Sequence, residues 1–479
     1  MRSSRPIAAL VVLAALAAAG PAWGKTAGSL DPDFNGTGYR LDQLDLGPAP
    51  RFSFYEALAA PQGITPRGFA ATTDADGLNK VTVRGLAWNG GPDPQWAGTA
   101  VTRNAAFGRL DPADVPYHVV TDAAAAPEGR TVVVGWGGND DFNMQDRAFV
   151  QQYGADGTPD TAFGAGGTVA FSVSMGAREA SFRGVAVDAQ NRVIAVGQDR
   201  PFIGGGTTNG LLARFLPNGK LDTSLHGTGY ITTADVEGWS DIAIASDGTY
   251  RVLGSTGSES VIARLGTDGN RDVNYGPDGF AHVPQLSTST TGLKKTLATR
   301  LALTADDRVV VGGSASWRQG VGTDFDVFEA LVLRYTAAGA LDPSFDGDGV
   351  ARWRFGEDGA GTWADSAISS VAVQENGSIV GAGQAGTSDG DAVHGGGLVI
   401  RLLPDGSLDQ RFGTGGVVRL NLSTAGGNTI LGSMVLGSYR KILLAGAIAD
   451  GATTLAAGMA RLEADGSPTA KLDAPAQVT

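Results

Sequence analysis

The sequence predicts an all-β chain folded as a single β-propeller of about seven four-stranded blades. Three observations carry this. A short apolar run ending in Gly recurs seven times along the 479 residues. Each run is embedded in a unit offering four short strands joined by hairpins. The two ends of the chain carry complementary halves of one unit.

The recurring run reads VTVRG at 81–85, TVVVG at 131–135, VIAVG at 193–197 and YRVLG at 250–254. It continues as VVVGG at 309–313, IVGAG at 379–383 and ILLAG at 442–446. Short β-branched runs bounded by Gly are strand signals. A second strand follows each, for example LLARF at 211–215, LVLRY at 331–335 and LVIRL at 398–402. Next comes a hairpin signal such as PNG at 217–219, TDG at 267–269 or PDG at 404–406. Gly after Asp or Asn supplies the positive φ that tight turns demand. A third element then reads Asp-x-x-Phe-x-x-x-Gly: Asp160 to Gly167, Asp342 to Gly349 and Asp409 to Gly416, with Leu225 and Tyr275 replacing Phe in two variants. A last strand follows, and one more, such as GVAV at 184–187, precedes each Gly-ended run. One such sheet cannot bury both its faces; stacked radially, each covers its neighbour.

The segment from Ser29 to Tyr39 is the end of a unit without a beginning, and the last unit stops near Leu472 without its Asp-x-x-Phe element. The N-terminal segment is therefore expected to supply the outer strand of the final blade, which removes an open strand edge. The units fall at 67–117 (degenerate), 118–174, 183–234, 240–284, 298–355, 366–422 and 428–473 plus 29–44. Unit 67–117 departs from the pattern: its hairpin reads LDPADVP, without Asp-Gly or Gly-x-Gly-Gly.

The pattern of apolar run and Gly, Ala-Arg-Leu, Pro-Asp-Gly and Leu-Asp-x-x-Phe-Gly-x-Gly-Gly resembles the delta-60 repeat family of bacterial secreted and surface proteins. The fullest copy is VIRLLPDGSLDQRFGTGGVV at 399–418. The resemblance implies a propeller-like repeat protein and brings no activity or site residues with it.

Gly contributes 72 residues, which in a polar chain would suggest disorder. Here the hydrophobic fraction is 42% and the glycines fall at regular offsets, so they punctuate strands instead. The formal net charge of −13 repels phosphate backbones and argues against a nucleic-acid partner. The absence of Cys excludes disulfides, thiolate metal sites and a thiol nucleophile. Arg2 and Arg5 precede the apolar run Ile7 to Ala19, and Ala22-Trp23-Gly24 offers small residues for cleavage. Residues 1–24 thus read as a secretory signal peptide, and 25–479 as the exported propeller, periplasmic or extracellular. No later segment is long and apolar enough for a membrane span in the mature chain.

Recurrence sorts the charged residues. Arg109, Arg214, Arg264, Arg334, Arg401 and Arg461 share one position in six of the seven units, with Gln152 in the remaining one; Asp31, Asp160, Asp222, Asp272, Asp342 and Asp409 recur after the hairpin. Groups present in every unit point to an Arg–Asp pair inside each blade rather than to a binding ring. Asp74-Ala-Asp76-Gly77 and Asp346-Gly-Asp348-Gly349 have the look of calcium loops but lack the distal Glu, so calcium is only a weak expectation and no other cofactor is implied. His118, His226, His282 and His394 show no ligand spacing, and Gly204-Gly205-Gly206 follows no pattern that opens a helix.

No catalytic constellation stands out. The unique material lies in the long hairpins 86–104, 136–148, 198–210, 314–330 and 384–397 and in the links between blades. They carry Trp88, Trp96, Trp136, Phe142, Trp317 and Trp363 beside Asp140, Asp141, Arg318, Asp324 and Asp326. Aromatic residues among polar ones suit sugar stacking or protein contact, or else each Trp lids its own blade. The leading expectation is a non-enzymatic scaffold that binds a protein or glycan through its loop-rich face. Alternatives are an enzyme at the channel mouth, a lyase or glycoside hydrolase marked by converging carboxylates, and a purely structural cell-surface component.

Overall fold

The computed structural model describes residues 29–31, 37, 39–42, 57–59, 67–73, 79–85, 101–103, 116–139, 147–173, 178–202, 206–257, 259–286, 294–318, 326–355, 363–388, 393–422, 428–437, 441–450 and 454–463. The chain is an all-β propeller. Strand β1 (Tyr39–Asp42) lies apart from its sheet in sequence. Strands β2 (Ala57–Ala59), β3 (Arg67–Thr73), β4 (Asn79–Gly85) and β5 (Val101–Arg103) form one four-stranded sheet. The next consists of β6 (Pro116–Ala125), β7 (Thr131–Asn139), β8 (Arg147–Tyr153) and β9 (Thr168–Phe171). It is followed by β10 (Arg178–Val187), β11 (Val193–Pro201), β12 (Asn209–Phe215) and β13 (Tyr230–Thr233). Then come β14 (Gly238–Ile244), β15 (Tyr250–Thr256), β16 (Glu259–Leu265) and β17 (Phe280–His282). Strands β18 (Lys294–Leu303), β19 (Val309–Arg318), β20 (Asp326–Tyr335) and β21 (Val350–Trp353) make another sheet. So do β22 (Trp363–Val373), β23 (Ile379–Ser388), β24 (Val393–Leu402) and β25 (Val417–Leu420). Finally β26 (Thr429–Gly437), β27 (Lys441–Asp450) and β28 (Thr454–Glu463) take β1 as their fourth strand.

Every pairing is antiparallel between neighbours, and the apolar clusters lie between sheets, not within them. Val132, Val134 and Val150 of one sheet pack with Ala180, Phe182, Ala195 and Phe215 of the next. Ile194, Val196 and Leu212 point the other way, onto Trp239, Val252 and Val261 of the following sheet. The same sharing joins β14–β17 to β18–β21, then to β22–β25, then to β26–β28. This explains the unbroken apolar runs: a strand covered on both faces has no reason to alternate.

The first strand of each sheet lies at the propeller axis, because Arg300 of β18 reaches across to the carbonyl of Thr121 in β6. These inner strands are bulged. The register slips between Val120 and Asp122, Phe182 and Gly184, Trp239 and Asp241, Ala298 and Arg300, Ile368 and Ser370, and Leu431 and Ser433. The bulge explains the recurring Gly. A Cβ on Gly197 would sit 1.9 Å from the carbonyl oxygen of Ser181, and one on Gly135 would sit 1.9 Å from that of Val119. Gly254, Gly313, Gly383 and Gly446 meet the same obstacle. An extra residue on the inner strand pushes a carbonyl into the space a side chain would need.

The outer elements interlock. Arg214 donates to Asp222 at 2.7 Å, and Arg334 to Asp342 at 2.7 Å. Arg401 lies 2.9 Å from Asp409, and in the unit that has Gln instead, Gln152 donates to Asp160 at 2.7 Å. The second nitrogen of the guanidinium reaches the following blade: Arg214 donates to the Thr267 carbonyl at 2.5 Å, and Arg334 to that of Pro404. The same Arg stacks over the buried Phe of its element, 4.8 Å for Arg334 on Phe345 and 4.7 Å for Arg401 on Phe412. The expected Arg–Asp pair is therefore architectural, and it joins blades as well as strands.

Asp31 takes the same place for the last sheet. Its N–H donates to the Arg461 carbonyl at 2.8 Å, as that of Asp222 does to Arg214 at 2.8 Å. Its carboxylate lies 2.7 Å from Arg461 and 3.1 Å from Lys441. Strand β1 then pairs with β28, Tyr39 opposite Ala460.

The expectation of about seven four-stranded blades needs correction to six. Six sheets carry the bulged, glycine-locked geometry. Strands β2–β5 pair as a four-stranded sheet, but β2 meets β3 without a register slip and spans only three residues. The unit that lost its Asp-Gly turn and its Gly-x-Gly-Gly has also lost the repeat's inner geometry. Residues 1–24 lie outside the described residues, and among the described residues no helix is long and apolar enough to cross a membrane.

Candidate functional site

Inner strand β10 begins, and β11 ends, at the end of the propeller that carries the long hairpins. A pocket holding ≈ 330 Å³ of space continuous with solvent lies there, lined by Trp136, Glu179, Ala180, Ser181, Arg183, Gln198 and Arg200. Register places the lining. Glu179 stands opposite Arg200 and Ser181 opposite Gln198, so four polar side chains form two cross-strand pairs on adjoining strands. Arg183 is the bulged residue, where the slip between Phe182 and Gly184 turns an extra side chain outward. Trp136 comes from β7 of the preceding sheet.

The charges are unevenly matched. Arg200 is bound to Glu179. Arg183 donates to the Gln198 amide oxygen at 3.3 Å, and no carboxylate contacts it among the described residues. Burial, then the charge of Arg200, lower the pKa of Arg183. The Ser181 hydroxyl is buried and has no hydrogen-bond partner. Nearby, Arg178 clamps the hairpin base through Asp199 at 2.6 Å and the Thr207 carbonyl at 2.9 Å.

A second cluster lies at the axis. Asp241 accepts the Ile242 N–H at 2.9 Å and, across the blade boundary, the Leu301 N–H at 2.7 Å. Asp122 accepts the Val185 N–H at 2.9 Å in the same way. Arg300 donates to the carbonyls of Ser240 and Thr121. Burial raises the Asp241 pKa to about 6; Arg300 opposes this, and the charge of Asp122 adds to it. Burial also raises that of Asp122, against Arg300 and the backbone donors.

Of the aromatic and charged candidates, Trp136 lines the pocket. Trp317, Arg318, Asp326 and Trp363 lie on strands β19, β20 and β22, with only their backbones described. Trp88, Trp96, Asp140, Asp141, Phe142 and Asp324 lie outside the described residues, as do Asp74 and Asp76. Asp346 carries a raised pKa from burial and from Asp348 and Asp405. Among the described residues no group of three or more His, Cys, Asp or Glu is placed to hold a metal ion. His282 sits between Asp278 at 3.0 Å and Glu259 at 3.2 Å. Burial disfavours its charged form, but those two carboxylates outweigh it and raise its pKa.

The pocket's strand residues and the axial trio went unread in the sequence because they sit on regular strands. The signal was present. Aligned on the bulge, the position after it reads Asp122, Gly184, Asp241, Arg300, Ser370 and Ser433. A charge at a position that does not repeat is the mark of a unique group.

Three segments match a β-propeller family model. It is described as a domain of unknown function (DUF5122), and it covers residues 191–225, 304–345 and 440–468. Each segment runs through the Gly-ended strand of one repeat. No curated protein matches the chain. Among solved structures, the periplasmic gluconolactonase PpgL of Pseudomonas aeruginosa is 12% identical, covering 84% of this chain and 99% of its own at a TM-score of 0.41. The BP39L lectin of Burkholderia pseudomallei is 11% identical, with 86% and 99% covered and a TM-score of 0.38. YCF48 of Cyanidioschyzon merolae is 10% identical, with 89% and 99% covered and a TM-score of 0.38. At such identities the functions of these proteins do not transfer to this chain.

Proposed function

We propose that this chain is an exported, non-enzymatic propeller of the delta-60 repeat type that binds a glycan through its loop-rich end. In this reading the N-terminal strand closes the ring; the pairing of β1 with β28 and the contact of Asp31 with Arg461 support the closure. One observation carries the binding function: an indole, two guanidinium groups, a carboxylate, an amide and a hydroxyl converge on one pocket. Stacking on an aromatic face beside planar hydrogen-bonding groups is how a sugar ring is held. A concave site favours a glycan over a flat protein surface. The test is glycan-array screening of the mature chain followed by calorimetry on the hits. Binding lost in Trp136→Ala supports the reading; no saccharide bound by the folded wild-type chain overturns it.

The enzyme reading has its own observation, the pair of elevated carboxylates at the axis. Against it, Asp241 spends both oxygens and Asp122 one on backbone N–H groups of the scaffold. Saccharide cleavage by the wild type that disappears in Asp241→Asn would favour the enzyme.

A further inference from the structure

We propose that the ligand of the Trp136 pocket is an acidic saccharide, a chain bearing uronic-acid carboxylates, with Arg183 as the carboxylate receptor. The inference rests on the glycan reading and narrows it.

Three features of the pocket point to an anion. First, its two guanidinium groups are not equivalent. Arg200 is bound to Glu179, so that pair is neutral in sum. Arg183 has only a neutral amide oxygen, at 3.3 Å, and its five donors are largely uncommitted. A planar guanidinium fork matches a carboxylate bidentately. Second, Ser181 lines the pocket and is only 8% exposed, and its buried hydroxyl has no partner. A buried polar atom left unsatisfied costs free energy that an incoming acceptor recovers. Third, the charge of Arg200 beside it disfavours that of Arg183. An anion relieves this.

The chain as a whole carries a formal charge of −13, which repels anions at long range. The attraction at Arg183 therefore acts only over short distance, within roughly one Debye length of about 8–10 Å. A carboxylate alone gains nothing from Trp136; a sugar acid uses the indole and the guanidinium together. That favours a saccharide over an acidic peptide.

The experiment is calorimetry of the full mature chain with three probes: an oligogalacturonate, the same oligomer with its carboxyl groups reduced to alcohols, and an oligoglutamate peptide. The oligogalacturonate is expected to bind at least tenfold more tightly than its reduced form, and less tightly as salt is raised. Arg183→Met is expected to abolish that preference while the melting temperature holds. Arg183→Lys, which keeps the charge without the fork, is expected to restore part of it, and Ser181→Ala to weaken binding severalfold. Equal affinity for the acidic and reduced oligomers overturns the inference and leaves the glycan reading standing. Oligoglutamate bound as tightly as the sugar acid overturns the saccharide assignment. No binding of either sugar, with no hit on the wider array, overturns both readings.

Discussion

Asp31 and Arg461, from opposite ends of the chain, make the ion pair that Asp222 and Arg214 make eight residues apart. The Asp31 carboxylate lies 2.7 Å from Arg461, with no exposure to solvent. Lys441 shares it at 3.1 Å and also contacts Glu463 at 2.5 Å. Removing one member of a buried ion group leaves the other charges uncompensated, at a cost of about 3–5 kcal/mol. Asp31→Ala is expected to lower stability in denaturant titration by that order. The equivalent Asp272→Ala is expected to cost under ~1 kcal/mol, because Asp272 and Arg264 are each about one-third exposed and 3.6 Å apart.

Gly197 and Gly432 are expected to respond oppositely to a methyl group. A Cβ on Gly197 meets the Ser181 carbonyl at 1.9 Å, whereas one on Gly432 meets nothing within 4 Å. Gly197→Ala must displace the bulge and is expected to cost about 3 kcal/mol or to prevent folding. Gly432→Ala is expected to be neutral or slightly stabilising. Parallel thermal melts of the two variants check this.

Asp346 occupies a left-handed position, φ 50°, that Gly164, Gly276 and Gly413 fill in other units. It is further disfavoured by the neighbouring carboxylates of Asp348 and Asp405. Asp346→Gly is expected to stabilise the protein by about 0.5–1 kcal/mol, read from the denaturation midpoint.

Stability is expected to peak on the acid side of neutrality. Asp241 has a pKa of about 6 in the fold, against roughly 3.9 in the unfolded chain. The fold binds the extra proton between those values, so this group favours folding at low pH and loses that contribution as pH rises through about 6. His282, also raised, acts in the same direction. Asp222, Asp342 and Asp409 act oppositely. Burial alone would raise them; Ser224 and Arg214, Ser344 and Arg334, and Arg411 and Arg401 respectively lower them instead. Their contribution is lost as pH falls below about 4. Unfolding free energy measured across pH 4–8 should fall mainly between about pH 4 and pH 6 and level off above. Asp241→Asn should flatten much of that slope; an unchanged slope would show that Asp241 is ionised throughout.

Much of the fold was legible because its signals repeat. The closing glycines, the Asp-Gly turns and the Arg–Asp spacing each report a local geometric need, met again in every blade. Unit 67–117 was legible as an exception for the same reason. The pocket was only partly legible. Trp136 stood out as an aromatic residue at a hairpin base, but Ser181, Arg183 and Arg200 lie on β10 and β11, and only the fold brings them to the indole. Arg300 was hidden by distance: its contact with Thr121 spans 179 residues.

That contact also bears on traffic through the molecule. The Arg300 side chain leaves β18 and donates to β6 and to β14, and the charges of Asp122 and Asp241 on those two strands act on it. A solute travelling along the axis would have to displace a tethered guanidinium and strip its counter-charges. The axis thus carries a charged crossbar built from three blades, Arg300 of β18 joined to Thr121 of β6 and Ser240 of β14.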